Sequence, residues 1–428
     1  MVKNDSFRKT KMQVEVNSEI GELEGVILHT PGPEVENMTP ENARRALYSD
    51  ILNLSVAQEE YAELVGVLEK TTKTFQVKDL LTNALSDEGV KRELIDEICE
   101  NENVNKYKRY LLSLSEYDLA SQLIEGVPLE KHSLTDYLSQ ERYALRPLHN
   151  FFFTRDASVI ISNHVLINKM ATPVRARESL IMEAIFNHSS MISGDTINPM
   201  RRRHLPESLY SEGGDLLIAS EQILLFGMGD RTSSQGIDFV IEHIKHRGES
   251  KHIIIQELPK FPESFIHLDM VFTLLDVDKC MTYEPVILKR NNLKTVHINI
   301  VNGKVDIWEE DNIIDSLRRL GMPIEPVFCG DNKDEWVQER EQWHSGANFF
   351  TLAPGKVIGY KRNVSTINAL NKAGFEVIDA EEIISGKKNI NNYKRCVVTM
   401  EGSELSRGGG GCRCMTMPVR RKPVNWKV

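Results

Sequence analysis

A cysteine beside a run of glycines stands near the end of the chain. The glycines occupy positions 408–411 and lead into Cys412-Arg413-Cys414. Glycines have no side chains and unrestricted φ, so a loop built from them lets the backbone approach a ligand closely. A neighbouring cation such as Arg413 favours the thiolate, which is the nucleophilic form of cysteine. This pattern predicts that Cys414 is a nucleophile held in a glycine loop.

Other interpretations of the same stretch have to be compared with it. The glycines could belong to a C-terminal tail without fixed structure. Cys412 and Cys414 could ligate zinc, although the usual Cys-x-x-Cys or His-x-His partners are missing elsewhere in the sequence. A phosphate loop would need Gly-Lys-Ser/Thr after the glycines, and none follows. The rest of the chain therefore has to distinguish between these interpretations of the glycine and cysteine stretch.

Polar signatures recur along the chain, each of them before a pair of apolar strands. They are Phe153-Thr154-Arg155-Asp156, Glu212-Gly213-Gly214-Asp215, His267-Leu268-Asp269 and Gly346-Ala347-Asn348. The signature aspartates are separated by 59 residues (156 to 215) and then by 54 (215 to 269). Such spacing indicates a repeat whose copies must pack together to bury a core.

Each copy continues with an amphipathic helix and a closing strand. In the clearest copy, strands at 216–219 and 223–226 precede a helix with a capping-box pattern at Thr232 and Gln235, and 253–255 closes the unit. The first copy is degenerate, with predicted elements at 25–29, 57–68 and 74–77. We predict five ββαβ units that close into a ring, with the signatures facing its centre.

Residues 78–147 interrupt this order with a purely helical pattern. A capping residue at Ser115 and a terminating Gly126 bound one of these helices. We predict an inserted helical domain at 78–147 and an α/β catalytic domain formed by 1–77 and 148–428. The pattern of the insertion indicates no chemistry.

If the signatures meet, one pocket receives Asp156, Glu212, His267, Asp269 and Cys414. Each residue alone has a structural explanation, such as a turn, a cap or a hydrogen-bonded core histidine, and only the shared position favours a site. Carboxylates raise the pKa of a nearby thiol, so this pocket requires a cationic substrate. A guanidinium fits because it is planar and presents a fork of N–H donors. Asp156 and Asp269 would then hold it with its central carbon facing Cys414.

Composition limits the class of protein. The 428 residues are 41% hydrophobic and 27% charged, which is typical of a soluble globular chain. The formal charge of −10 argues against a nucleic-acid partner. No run approaches the roughly 20 apolar residues of a membrane span, and the N-terminus lacks the apolar core of a secretion signal. The six sparse cysteines are typical of a reducing cytoplasm, where we expect the protein.

Six motifs, in order, resemble those of bacterial arginine deiminases, which belong to the guanidine-modifying superfamily. The resemblance runs from Ile20 to Pro418 and includes the helical insertion. It adds to the signatures above Gly-Met-Gly-Asp-Arg-Thr-Ser (227–233), Glu-Arg-Glu-Gln-Trp (339–343) and Arg-Cys-Met-Thr-Met-Pro (413–418). It implies a five-bladed, pseudo-symmetric α/β propeller, and hydrolysis of L-arginine by water to L-citrulline and ammonia without metal or organic cofactor.

The resemblance also implies a role for each matching residue. Cys414 would attack the guanidinium carbon and form an S-alkylthiouronium. His267 would protonate the departing ammonia and then activate water, with Glu212 orienting it, while Asp156 and Asp269 hold the guanidinium. Arg175 and Arg231 would bind the substrate carboxylate and select arginine over agmatine. The other residues implied to contact substrate are Asn150, Phe153 and Leu47.

Two positions depart from the family pattern, and several functions stay open. Gly409 stands where many members have a loop arginine, and Cys412 where proline, histidine or a small residue is usual. An amidinotransferase would pass the same intermediate to an amine, and an inactive arginine-binding module would keep the fold alone. A Cys-x-Cys zinc-binding protein would contain zinc. The sequence leaves a homo-oligomer open.

Overall fold

Five β-sheets share one pattern of strand pairing. The computed structural model describes residues 11–39, 48 and 50–426. In each sheet an antiparallel strand pair is extended by a strand parallel to the second member of that pair. A parallel partner requires a crossover connection, which helices supply here. The pairing agrees with the predicted ββαβ order.

We number the sheets in the order in which the second strand of each antiparallel pair occurs along the chain. Sheet 1 contains Met417–Arg421, Leu23–Leu28 and Lys73–Gln76; sheet 2 contains Ser158–Ile161, His164–Ile167 and Asp195–Ile197. Sheet 3 contains Leu216–Ser220, Ile223–Met228, Lys251–Glu257, Thr295–Val301 and Lys304–Glu310. Sheet 4 contains Phe272–Asp276, Lys279–Thr282 and Glu325–Phe328; sheet 5 contains Phe350–Ala353, Lys356–Tyr360, Cys396–Met400 and Glu376–Asp379.

The helices connect and cover these sheets. Those of the α/β part are Pro33–Glu36, Leu54–Thr71, Ala176–His188, Ser234–His246, Glu284–Ile287, Ile313–Arg319, Glu335–Trp343, Val364–Lys372 and Ala380–Ile384. Those of the helical segment are Val77–Ala84, Glu88–Asn101, Lys108–Leu112, Glu116–Glu125 and Leu134–Leu138. Within the residues that the structure describes, none of the helices has the length and apolar character of a bilayer span.

The first sheet explains why the first repeat looked degenerate. Its missing strand is Met417–Arg421, which pairs antiparallel with Leu23–Leu28 from the other end of the chain. A pairing across almost the whole sequence leaves no local pattern, so periodicity could not reveal it. The pairing also fixes Cys414, which lies three residues before Met417.

One other expectation was wrong in detail, and two features of the sheets were not predicted. The helix Ser234–His246 is capped by Ser233, whose hydroxyl accepts a hydrogen bond from Gly236, and not by Thr232. Sheet 3 carries an unpredicted hairpin, Thr295–Val301 with Lys304–Glu310. In sheet 5, the strand beside the second one is Cys396–Met400, and Glu376–Asp379 lies at the edge.

The helical segment shares its core with the α/β part. Ser115 and Gly126 bound the helix Glu116–Glu125 as predicted, Gly126 with a φ of 93°. The segment is not purely helical, because Val127–Pro128 pairs with Tyr143–Leu145. Its buried side chains, such as Leu80 and Ile95, belong to one cluster with Ile160 of sheet 2 and with Ile181 and Ile185 of the helix Ala176–His188.

Candidate active site

The glycine loop packs tightly around Cys414. A Cβ at Gly410 would lie 2.5 Å from the Phe153 ring and 3.0 Å from the Cys414 Cβ, so only glycine fits there. The Tyr360 hydroxyl donates a 3.0 Å hydrogen bond to the Gly410 carbonyl. Cys414 itself is 4% exposed. The loop therefore approaches Cys414 closely, as predicted, and is not an unstructured tail.

Asn348 and Asp269 face the sulfur of Cys414. The Asn348 amide donates to Sγ at 3.2 Å, and its oxygen accepts from the backbone N–H of Arg413 at 2.9 Å and of Cys414 at 3.3 Å. The Asp269 Oδ2 lies 3.8 Å from Sγ. Sequence reasoning did not assign Asn348 to the site, although it ends the signature before sheet 5 as Asp156 and Asp269 end theirs.

His267 lies between two carboxylates. Its Nε2 is 3.0 Å from Glu212 Oε2, and its Nδ1 is 3.9 Å from Asp156 Oδ1. Glu212 is fixed in turn, because its backbone N–H donates to Thr232 Oγ1 at 3.2 Å and its Oε1 accepts from Ala171 N–H at 3.2 Å. All three side chains of the triad His267, Glu212 and Asp156 are buried.

Asp215 was also missed, although it ends the signature that begins at Glu212. It is fully buried, and its Oδ1 accepts a 2.9 Å hydrogen bond from the backbone N–H of Leu268. Burial raises the pKa of Asp215 to about 7. Because Leu268 separates His267 from Asp269, this contact fixes both of their backbones.

The carboxylates of the pocket are paired with internal arginines. Arg175 Nη1 lies 2.7 Å from Asp156 Oδ2, and Arg413 Nη1 lies 2.7 Å from Asp269 Oδ2. The sequence predicted these carboxylates but not the internal arginines that pair with them. Each aspartate keeps acceptor capacity, because an ionised carboxylate has about four lone-pair sites.

Burial and charge shift the pKa of the thiol and of the imidazole in this pocket. Burial, with Asp269 and Asp156, raises the pKa of Cys414 well above its usual value, against the smaller opposing effect of Arg413. Arg413 favours the thiolate, as predicted, but its guanidinium is bound to Glu19 and Asp269, and the effects of burial and of the two aspartates are larger. Burial would lower the pKa of His267, but Asp156 and the Glu212 hydrogen bond raise it to about 9.

Glu212 is shifted in the opposite direction to His267. Its burial would raise its pKa, but the hydrogen bond from His267 and the charge of Arg231 lower it to about 2. The two groups therefore form a charged pair across the neutral pH range.

The two arginines that were assigned to the substrate carboxylate differ in their access to solvent. Arg231 lines an open cleft of about 780 Å³, and its Nη1 lies 3.6 Å from Glu212 Oε1. Arg175 is buried, which excludes a solvated surface role, and it donates to Glu178 and to the carbonyls of Asn150 and Phe153. Leu47 lies outside the described residues.

Gly409 lines the same cleft. It adopts a φ of 85°, and nothing lies within 4 Å of the position that a Cβ would take. Cys412 points elsewhere, into the core, where its sulfur contacts Met400 Sδ at 3.5 Å. Its contacts give no support to a Cys-x-Cys zinc site.

Among the residues that the structure describes, one group of side chains could hold a metal ion. Asp156, Glu212 and His267 each offer a ligand atom, and these atoms lie within 4.8 Å of one another. The Arg175 guanidinium, however, is 2.7 Å from Asp156 Oδ2 and 3.9 Å from Glu212 Oε2. A cation already lies between these carboxylates, and Cys414 is not a member of the group.

Comparison with known proteins identifies the family. A model of the arginine deiminase family matches residues 45–421. This chain belongs to the arginine deiminase family. It is 32% identical to the arginine deiminase of Limosilactobacillus reuteri (strain DSM 20016) over 428 residues, which cover 96% of this chain and 98% of that protein. It is 33% identical to the arginine deiminase of Listeria monocytogenes serotype 4a (strain HCC23), with 97% and 99% covered.

Solved structures place this arginine deiminase family chain in the α/β fold shared with amidinotransferases. The N-terminal domain of the cyanobacterial arginine dihydrolase ArgZ, bound to substrate, superposes with a TM-score of 0.51 at 14% identity, covering 93% of this chain and 98% of that domain. The Microseira wollei amidinotransferase SxtG gives a TM-score of 0.50 at 15% identity, covering 96% and 98%. At these identities the likeness concerns the fold alone.

Proposed function

We propose that this chain hydrolyses L-arginine to L-citrulline and ammonia through a covalent intermediate on Cys414. Membership in the arginine deiminase family supports this activity. The observation that carries it is the buried pocket in which the Cys414 sulfur faces Asp269 while His267 contacts Glu212 and Asp156. Such a pocket places a nucleophile and an acid–base group beside acceptors for a guanidinium.

Substrate binding would proceed by an exchange of ion pairs. In the structure the Arg175 guanidinium donates a hydrogen bond to Asp156, the carboxylate to which the substrate guanidinium would have to bind. A substrate carboxylate entering past Arg231 would attract Arg175 and release Asp156. The substrate guanidinium would then take over Asp156 and the remaining lone pairs of Asp269. This exchange favours arginine as substrate. Its carboxylate would replace Asp156 as the partner of Arg175, and its guanidinium would replace Arg175 as the partner of Asp156.

The incoming cation would also activate the nucleophile. A guanidinium beside Cys414 offsets the negative charge of Asp156 and Asp269 and so lowers the raised pKa of the thiol. The Asn348 amide, 3.2 Å from Sγ, is a donor to the thiolate that results. Cys414 would be ionised only when substrate is bound, which limits its reaction with other electrophiles.

The bond changes follow from these positions. The Cys414 thiolate bonds to the guanidinium carbon, and one carbon–nitrogen bond breaks as protonated His267 donates its proton to the departing ammonia. Water then adds to the same carbon of the S-alkylthiouronium and gives its proton to His267. The carbon–sulfur bond then breaks while the remaining hydroxyl proton moves to the departing sulfur. This step releases neutral citrulline and restores the Cys414 thiol, whose proton passes to solvent when the next substrate binds.

For the chain as a whole we propose five blades closed into a propeller. The five sheets with one pairing pattern, and the use of Met417–Arg421 to complete sheet 1, support ring closure. Within it, 1–77 and 148–428 would form the catalytic α/β domain and 78–147 the inserted helical domain. We also propose a cytoplasmic location, as the sparse cysteines indicate.

The test is a citrulline assay with arginine as sole substrate. We expect equimolar citrulline and ammonia, and slower reaction with agmatine, which lacks the carboxylate. An acid quench with labelled arginine should trap label on the wild-type chain and none on Cys414→Ser. Product formation that needs an added amine would support an amidinotransferase, and binding without turnover would support an inactive module.

A further inference from the structure

A second cleft lies where the helical segment meets the α/β part. It has a volume of about 810 Å³ and is lined from three directions, by the end of the helix Glu88–Asn101, by residues 129–146, and by Thr172–Val174 with Arg177. Thr172 also lines the catalytic cleft. The two clefts therefore lie on either side of the segment that carries Arg175.

Arg177 is a buried cation in the wall of this cleft. Its side chain is 3% exposed, and its Nη2 donates to the Arg146 carbonyl. Its Nε and Nη1 have no hydrogen-bond acceptor among the described residues. Glu102 Oε1 lies 3.1 Å from Nη1, but this ion pair lacks hydrogen-bond alignment. Unfilled donors on a buried charge are costly unless another acceptor reaches them.

The other charges of the cleft differ from Arg177. Lys106 pairs with Asp136, and Arg146 pairs with Glu141. Both cations are about half exposed, so these pairs are weak and easily exchanged. Burial lowers the pKa of Arg177 against the opposing charges of Glu102 and Glu178. Arg177 is thus the buried cation of this cleft, and its Nε and Nη1 lack a hydrogen-bond acceptor among the described residues.

We propose that this cleft binds a small oxyanion, a carboxylate or a phosphate, on Arg177. The ligand would accept hydrogen bonds from Nε and Nη1 of Arg177 and compete with Glu102 for Nη1. Lys106 and Arg146 would add positive charge at the rim. The ligand class follows from a guanidinium that offers several donors, which match carboxylate and phosphate oxygens. This binding does not depend on the activity proposed above.

The experiment titrates the full-length protein by calorimetry with acetate and, in a second arm, with inorganic phosphate. Arg177→Gln should weaken binding at least about tenfold, because a hydrogen-bonded charge is lost. Glu102→Gln should tighten it severalfold, because the competing carboxylate is removed. The arm with the lower dissociation constant identifies the oxyanion.

Two control variants locate the site. Arg92→Gln, on the exposed face of the helical segment, should leave the titrations unchanged. Arg231→Gln, which alters the carboxylate-binding catalytic cleft, should keep the binding that Arg177→Gln loses. Binding that is lost in Arg231→Gln and kept in Arg177→Gln would overturn the proposal, as would absence of binding to the wild type. A weaker rather than tighter Glu102→Gln complex would also overturn it, even if Arg177→Gln failed to fold. None of these results would alter the outcome of the citrulline assay.

Discussion

The sulfur of Cys414 lies 3.8 Å from Oδ2 of Asp269, the carboxylate that also binds Arg413. Burial and this negative charge raise the pKa of the Cys414 thiol well above its usual value, which favours the protonated form in the absence of substrate. Asp269→Asn removes the charge, so the thiol should ionise at lower pH and react faster with iodoacetamide. Its kcat/KM for arginine should fall about tenfold to a hundredfold, because a charge-assisted hydrogen bond to substrate is lost.

The exposed Asp306→Asn is the matched control and should change neither rate. If the alkylation rate of Asp269→Asn follows the wild-type pH profile, Asp269 does not control the thiol. Slower alkylation of Asp269→Asn than of the wild type at neutral pH would also show that Asp269 does not control the thiol.

The pair His267 and Glu212 predicts a pH dependence. The pKa of His267 is about 9 in the folded protein against an ordinary 6.5, since Asp156 and the Glu212 hydrogen bond outweigh burial. Its contribution to stability is therefore complete below about pH 6.5 and is lost as the pH rises through about 9. Glu212→Gln should lower this pKa and weaken the pH dependence of the free energy of unfolding between these values. Urea titrations of both proteins across pH 6–10 measure this dependence of the free energy of unfolding.

The same variant provides a kinetic readout. If protonated His267 is the acid for ammonia departure, the alkaline limb of the kcat profile should move to lower pH in Glu212→Gln. An unchanged limb, together with an unchanged unfolding profile, would show that Glu212 does not set the protonation of His267.

Arg231 should decide the preference for arginine over agmatine. It lines the open cleft, whereas Arg175 is buried and bound to Asp156 and Glu178. Arg231→Ala should raise the KM for arginine about tenfold or more and leave agmatine turnover almost unchanged. Arg231→Lys, which keeps the charge, should fall between. Equal loss for both substrates would place Arg231 in a structural role.

Asn348 should act on the thiolate. Its amide donates to Sγ, and removing a donor to a developing anion typically costs a factor of ten to a thousand. Asn348→Ala should lower kcat by about tenfold to a hundredfold and move the pH dependence of Cys414 alkylation upward. A purely structural role, through its contacts to the backbone N–H groups of Arg413 and Cys414, would lower the melting temperature without that shift.

The two neighbouring cysteines should behave differently. Cys414→Ser should abolish turnover, while Cys412→Ala should keep most of it, because Cys412 packs on Met400 outside the pocket. Its cost should be a loss of stability of about 1 kcal/mol, typical of a small buried truncation. Citrulline formation and thermal unfolding of both variants make the comparison. Equal loss of turnover in both would contradict the assignment of the nucleophile.

The sequence alone determined the repeating unit and the residue types at its start. The signatures at Asp156, Glu212, His267 and Asp269 were visible because each precedes two apolar strands, and a common position in a repeat implies a common place in the fold. Local cues such as Ser115 and Gly126 also predicted helix ends correctly, since a cap depends on contacts within a few residues.

Only the tertiary structure decided how these residues are paired. The strand Met417–Arg421 completes sheet 1 through contacts that no local window contains. The sequence did not predict that Arg175 pairs with Asp156 and Arg413 with Asp269. Burial of Cys414 beside both aspartates nevertheless raises the pKa of its thiol. Charge interactions act through distance and burial, which chain order does not encode, so the sequence could name the groups but not their ionisation.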